Sequence, residues 1–235
     1  MPQRINEHGQ PIGPDVPAWT PRARPDKSPL TGQYAAVVRL DPAAHGDDLF
    51  AAFATDTSAA MWTYMPNGPF TERAVFDSFI AGAQVSTDPL FYAIINTATG
   101  RAEGFASYLR IDPAVGSIEV GFIAMSPLLQ KTRVATEAMY LMMAHAMDDL
   151  GYRRYEWKCD NLNAPSKRAA GRYGFTAEGV FRQATIYKGR NRDTAWFSIL
   201  DSEWPAVKAG FVAWLDPANF DADGVQRAAL ETRTI

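Results

Sequence analysis

Cysteine is almost missing from this chain: Cys159 is the single one in 235 residues. An internal disulfide framework is therefore excluded, and a reducing compartment fits. Histidine is scarce as well, and His8, His45 and His145 are too scattered to form a metal cluster. No apolar run approaches bilayer-spanning length, and Pro2-Gln3-Arg4-Ile5-Asn6-Glu7 has no hydrophobic leader region. The expectation is a soluble cytoplasmic protein without membrane attachment. Charge of one sign is lacking too: a formal net charge of −3 argues against nucleic acid as the main partner. The sequence contains no Gly-x-Ser-x-Gly elbow, no Walker loop and no Gly-x-Gly-x-x-Gly turn. Cys159 has no histidine at motif spacing, so a buried strand thiol is expected rather than a nucleophile.

What is present suits one domain with extensions, since 47% of the residues are apolar and can form a substantial core. Prolines recur through residues 1–30, which read as an arm, with Trp19 as a docking point on the core. Residues 31–215 read as the folded domain, and 216–235 as a polar tail. Runs at Tyr34–Leu40, Leu90–Asn96, Glu103–Arg110, Ser117–Ala124, Arg154–Cys159, Val180–Tyr187 and Thr194–Leu200 predict seven strands. Helices are predicted from Asp41-Pro42 to Phe53, from Thr71-Glu72 to Ala83 and from Thr132 to Asp149. Two more are predicted over Ala164–Tyr173 and Ser202–Trp214. Met139, Met142, Met143 and Met147 recur at helical spacing and read as core.

The segment Ser126 to Ala138 carries the clearest functional signal. It links the apolar strand Ile118–Ala124 to the longest helical pattern. A strand that leaves through a polar loop into a helix presents free N–H groups at the positive end of the helix dipole. Lys131 and Arg133 add charge there, and Thr132 and Thr136 add hydroxyls, so the loop suits a phosphate or pyrophosphate. An ordinary basic loop capping a helix is the plain alternative.

Gln130-x-x-Arg133-x-Ala135, followed by Thr136-Glu137-Ala138, resembles the coenzyme A pyrophosphate signature of the GNAT superfamily of acyl-CoA N-acyltransferases. Downstream, Asn163-Ala164-Pro165-Ser166, Ala169-Ala170 and Tyr173-Gly174-Phe175 resemble its second motif. Serine three residues after the asparagine, and the closing run Val180 to Trp196, are similar to the branch that acetylates ribosomal-protein N-termini. The family usually has glycine where Lys131 and Arg133 stand here, because bare backbone lets the pyrophosphate approach closely. The resemblance spans roughly Gln33 to Trp204. It implies an α/β (α+β) fold: a mixed, mostly antiparallel seven-stranded sheet, splayed between strands four and five, with helices on both faces. It also implies acetyl-CoA as co-substrate, no metal, and transfer to a primary amine on a protein N-terminus, an amino acid or a small molecule. A homodimer is compatible with it.

Site residues follow residue by residue. By the resemblance, Phe122, Ile123 and Ala124 offer main-chain groups to the pantetheine arm, and Gln130, Lys131, Thr132, Arg133, Val134, Ala135 and Thr136 hold the pyrophosphate. Asn161 and Asn163 are candidates for the pantetheine amides, with helix capping as the alternative for Asn163. Glu119 is the charged residue in an apolar strand, a candidate general base or an ion-pair partner of Arg154 or Arg110. Ser166 is the candidate donor to the leaving thiolate, or a first-turn cap, since the family's tyrosine position is Ala170 here. Trp62 and Tyr64 sit in an aromatic loop suited to an acceptor pocket or to the core. Asp193, Asp56 and Arg182 are polar groups able to orient an acceptor. Trp157 and Trp196 read as strand packing. A longer acyl donor and a catalytically silent coenzyme A-binding or protein-interaction member remain as alternatives.

Overall fold

The computed structural model describes residues 4–232. Residues 1–3 of the expected arm and 233–235 of the expected tail lie outside them. In chain order the elements are strands β1 (Arg4–Ile5), β2 (Pro11–Ile12), β3 (Leu30–Thr31) and β4 (Ala35–Arg39), then helices α1 (Pro42–Phe53) and α2 (Arg73–Val85). Strands β5 (Leu90–Asn96), β6 (Arg101–Asp112) and β7 (Ser117–Met125) lead into α3 (Arg133–Ala144). Then come β8 (Arg154–Asp160), α4 (Ala164–Arg172), β9 (Thr176–Tyr187), β10 (Arg190–Leu200) and α5 (Trp204–Leu215). The main sheet has eight strands in the order β3-β4-β5-β6-β7-β8-β10-β9, and every pair is antiparallel except β7 with β8. The eighth strand, unforeseen, is the two-residue β3 at one edge, too short for a sequence period.

Alternation along the strands sends side chains to two cores. In β5, Phe91 and Ala93 join the aromatic cluster of Phe53, Phe76 and Phe105 beneath α1 and α2. Tyr92 and Ile94 point the other way, toward Met139, Met142 and Met143 of α3 and Phe211 of α5. Asp41 caps α1 by accepting from the Ala43 N–H, with Pro42 in the first turn. The last turn of the predicted long helix widens into a π-turn over His145–Asp149. The hairpin turns at Lys188-Gly189, both at positive φ as a two-residue connection demands, so β10 starts four residues earlier than expected.

Both extensions pack on the domain. Trp19 Nε1 donates to Ala114 O at 2.7 Å, the docking expected of it. The tail is less polar in effect than in composition: Phe220 packs edge-on against Trp214 and Tyr34, and Leu230 and Thr232 are buried.

One feature of the sheet positions the site. β7 and β8 pair only over Ser117–Val120 against Arg154–Trp157, and beyond that they diverge. Where they part, β7 carries a bulge: Ser107 pairs with Gly121 but Phe105 pairs with Ala124, and Phe122 takes φ 47°. An extra residue bends and twists a strand, which turns β7 away from β8 and leaves its outer backbone unpaired.

Candidate active site

A cleft of about 1560 Å³ runs through this opening in the sheet. The two faces of β8 supply different chemistry to it, because neighbouring strand residues point to opposite sides. Trp157 and Cys159 face α3 and α4. Lys158 and Asp160 face the side that α1 and α2 leave open.

On the helical side, the loop into α3 leaves N–H donors free at the helix N-terminus. Thr132 caps the helix, accepting from the Ala135 N–H, while the N–H groups of Gln130, Thr132 and Thr136 bond to Ser126, Leu129 and Thr132 carbonyls. Among the described residues no acceptor lies opposite the N–H groups of Lys131, Arg133 and Val134. Lys131 adopts φ 62°, the left-handed conformation that glycine takes without strain, so the lysine keeps the turn that the missing glycine would make. The Arg133 guanidinium lies 4.4 Å from the Tyr34 ring centre and 5.2 Å from that of Phe220, where it helps hold the tail. Gln130 Nε2 donates to Met125 O.

Also on this side, Asn163 caps α4 by accepting from the Ser166 N–H at 3.1 Å. Ser166 is thus not the cap. Its Oγ accepts from Trp157 Nε1 at 3.0 Å, and its hydroxyl also has the Cys159 sulfur as a hydrogen-bond partner. Cys159 lines the cleft nearby, with burial pushing its thiol above the usual range.

Opposite lies a ladder of charge. Glu119 Oε2 accepts from Arg110 Nη1 and forms an ion pair with Lys158 Nζ, each at 2.8 Å. Lys158 also meets Glu156 at 2.7 Å, Arg154 meets Glu156 at 2.6 Å, and Arg154 closes on Glu178 at 2.5 Å. Burial alone would raise the Glu156 carboxyl, but hydrogen bonds from Lys158 and Arg154 prevail and hold it low. Arg154, with Ser198, pulls Glu178 down to about 2. Lys158 Nζ sits 3.7 Å from the Trp196 ring centre, and Phe181 stacks on that ring at 4.5 Å. The ion-pair reading of Glu119 is met by Arg110, while Arg154 reaches it only through Glu156 and Lys158. Glu119 Oε1 has no partner among the described residues and faces Gly121, whose missing side chain leaves it room.

The family models agree with this construction. The description Acetyltransferase (GNAT) domain matches residues 38–176, more than half of the chain. The chain belongs to the GNAT acetyltransferase family. A GCN5-related N-acetyltransferase from Brucella melitensis is 48% identical over 92% of this chain and 97% of its own, with a TM-score of 0.90. A GNAT-family structure from Chromobacterium violaceum ATCC 12472 is 39% identical, covering 83% of this chain and 98% of its own, with a TM-score of 0.77. At the level of fold alone the chain is similar to the microcin C7 self immunity acetyltransferase MccE, solved with acetyl-CoA and AMP. That likeness is 21% identical, covers 72% of this chain and 93% of the other, and has a TM-score of 0.62. No curated protein matches significantly.

GNAT enzymes use acetyl-CoA, and the residues of this cleft fit it: three free N–H groups and Lys131 for the pyrophosphate, and the unpaired edge of β7 for the pantetheine arm. Most of the residues singled out in the sequence come together here, including Glu119, Phe122, Ile123, Ala124, the loop 130–136, Asn163, Ser166 and Tyr64. Four do not line the cleft. Trp62 is buried against Phe53 and Phe70 in the aromatic core. Asn161 accepts from Lys167 and ties its N–H to Asp193 O. Asp193 accepts from the Gln183 N–H, supporting a bulge in β9 where Gln183 takes φ 50°. Arg182 also lies off the cleft, whereas Asp56 lines it. Lys158, Asp160 and Arg192 line the cleft unforeseen, and Trp196, expected as strand packing, lines it too. The signal for the first two was Glu156-x-Lys158-x-Asp160, three charges at period two in a strand beside Glu119.

Proposed function

We propose that this protein transfers an acetyl group from acetyl-CoA to a primary amine held beside Glu119. The observation that carries the reading is the cleft through the sheet, with a buried carboxylate on one side and an oriented serine hydroxyl on the other. Acetyl-CoA supplies an acetyl group activated as a thioester. The free N–H groups of Lys131, Arg133 and Val134, at the positive end of α3, bind and orient the pyrophosphate. Backbone of Phe122, Ile123 and Ala124 holds the pantetheine arm in the opening. With Oε2 fixed by two cations, Glu119 Oε1 accepts the amine proton, directly or through one water. Ser166 donates its hydroxyl hydrogen toward the departing sulfur, because Trp157 already occupies a lone pair of Oγ.

The Asn163…Ser166 pattern and the closing run to Trp196 support a primary amine as the acceptor group, the group acetylated by the ribosomal-protein N-terminal branch. Thiol release from acetyl-CoA with a panel of primary amines, run on the wild type and on Glu119→Gln, tests the proposal. Turnover with at least one amine that collapses in the variant is expected. No release above the hydrolysis background with any amine would refute acetyl transfer.

A further inference from the structure

The acceptor side of the cleft is lopsided in what it leaves unpaired. Three carboxylates line it, and each already holds two donors from the protein. Glu119 holds Arg110 and Lys158. Asp160 holds the Leu162 N–H at 2.8 Å and the Tyr187 hydroxyl at 2.8 Å. Asp56 holds the Ser58 hydroxyl and the Met61 N–H. The two arginines that line the same side are mostly unspent. Arg110 gives only Nη1 to a side chain, and its side chain is 61% exposed. Arg192 gives only Nε, to Thr194 Oγ1 at 3.1 Å. A guanidinium has donors to spare after one such bond. The Trp196 indole N–H, in a ring that also lines the cleft, is buried with no acceptor among the described residues.

Arg110 is aimed, not merely present. The pairing of β6 with β7 slips between Leu109 and Asp112, and Arg110 takes φ 46° in the resulting bulge. Asp88 holds that bulge from outside, accepting from the N–H groups of Arg110 and Ile111 at 2.9 and 3.1 Å. A left-handed conformation in an arginine persists only where its surroundings enforce it, and bulges re-aim side chains at sites. Here the result puts a guanidinium in contact with Glu119.

We infer that the acceptor carries an anionic group, a carboxylate or a phosphate, close to its amine, and that Arg110 and Arg192 bind it. The inference rests on the acetyl-transfer reading and narrows its substrate class. Since Arg110 touches Glu119, an anion on Arg110 sits only a few bonds from an amine at Glu119 Oε1. An α-amino acid has that spacing, and the Trp196 and Phe181 rings offer an apolar wall for its side chain. A polyamine or other polycation is disfavoured, because beyond the amine at Glu119 Oε1 it would meet arginines and carboxylates that already hold protein donors.

Calorimetry on the full chain without coenzyme A tests this with phenylalanine, phenylalanine amide, O-phosphoethanolamine and putrescine, followed by thiol release on the same panel. One or both acids should bind roughly tenfold or more tightly than the amide and the diamine, as a charge-assisted pair predicts. Which acid wins tells carboxylate from phosphate. Arg192→Gln should bring the acid-to-amide ratio toward parity. Independently of any variant, affinity for the acid should fall with added salt while that for the amide holds. Equal or better binding and turnover of the amide or the diamine would overturn the inference and leave acetyl transfer standing. A clear acid preference in binding without turnover of any amine would do the reverse. Failure of both acids to bind at ten millimolar, or a salt-independent preference, also overturns it.

Discussion

Lys158 Nζ lies 2.8 Å from Glu119 Oε2, and neither side chain is more than 5% exposed. The pair joins β8 to β7 at the last point where those strands still pair, so it pins the mouth of the cleft as well as the carboxylate. Breaking a buried pair by removing one partner leaves an uncompensated charge, which costs about 3–5 kcal/mol. Lys158→Met should therefore lower the urea midpoint strongly, with Glu119→Gln milder because the amide still accepts one hydrogen bond. Equal midpoints for wild type and Lys158→Met would show that Arg110 alone satisfies Glu119.

Glu119→Gln separates base from brace. The substitution keeps volume and removes the proton acceptor, so kcat/KM should fall by about 10²-fold at neutral pH. Coenzyme A affinity should hold, because the phosphate loop lies on the other side of the sheet. A variant with full rate and the same pH limb would leave Glu119 a purely structural member of the charge ladder.

Ser166→Ala now makes a sharper test than the sequence allowed, since Asn163 and not Ser166 caps α4. If the hydroxyl stabilises the leaving thiolate, kcat should drop about ten- to a hundredfold with little change in coenzyme A affinity, as loss of one hydrogen bond to an anion predicts. The Trp157 indole also loses its acceptor, which costs about 1–3 kcal/mol of stability whatever the catalytic role. Asn163→Ala is the control, removing about 1 kcal/mol of capping while sparing the hydroxyl. A normal kcat in Ser166→Ala beside a lowered midpoint would end the catalytic role.

Fold and donor loop were legible because each rests on local pattern. Period-two runs gave the strands, caps such as Asp41 and Thr132 gave the helix starts, and the strand–loop–helix order around Lys131 gave the turn whose N–H groups stay free. The acceptor side was not legible, because it is assembled by register. The order of residues offered Arg110 or Arg154 to Glu119 without choosing; register sets Glu156 opposite Glu119, and a bulge swings Arg110 onto its carboxylate. Trp62 misled for a related reason. An aromatic loop reads the same whether its rings cover a pocket or fill a core, and here Phe53 and Phe70 claim the ring while Tyr64 reaches across to Leu162 O.

Lys131 offers a test of the missing glycines. Its φ of 62° stores strain that glycine would release, so Lys131→Gly should be neutral or stabilising by about 1 kcal/mol. Coenzyme A should still bind, through the same backbone N–H groups, but with weaker salt dependence. Lys131→Glu should weaken binding, and high salt should shrink the loss. Titration calorimetry at low and high salt decides. Absence of binding by wild type at millimolar coenzyme A would remove the donor site altogether.

Acid stability should carry the mark of Glu178. Its carboxyl falls from an ordinary 4.5 to about 2, chiefly through the hydrogen bonds from Arg154, with Ser198 adding to it. A carboxyl depressed by folding favours the folded state fully above its unfolded value, and that contribution is lost as pH falls from about 4.5 toward 2. Glu178→Gln removes the titration but keeps the shape. The difference in Tm between wild type and variant should be constant above about pH 5 and shrink steadily below about 4.5. Because the Glu178 side chain is 36% exposed, water and salt screen the pair, so the whole difference should also contract in high salt. Thermal melts from pH 6 to pH 2.5 at two salt concentrations check both. A difference that stays flat across that range would mean Arg154 is satisfied by Glu156 alone and Glu178 only decorates the end of the ladder.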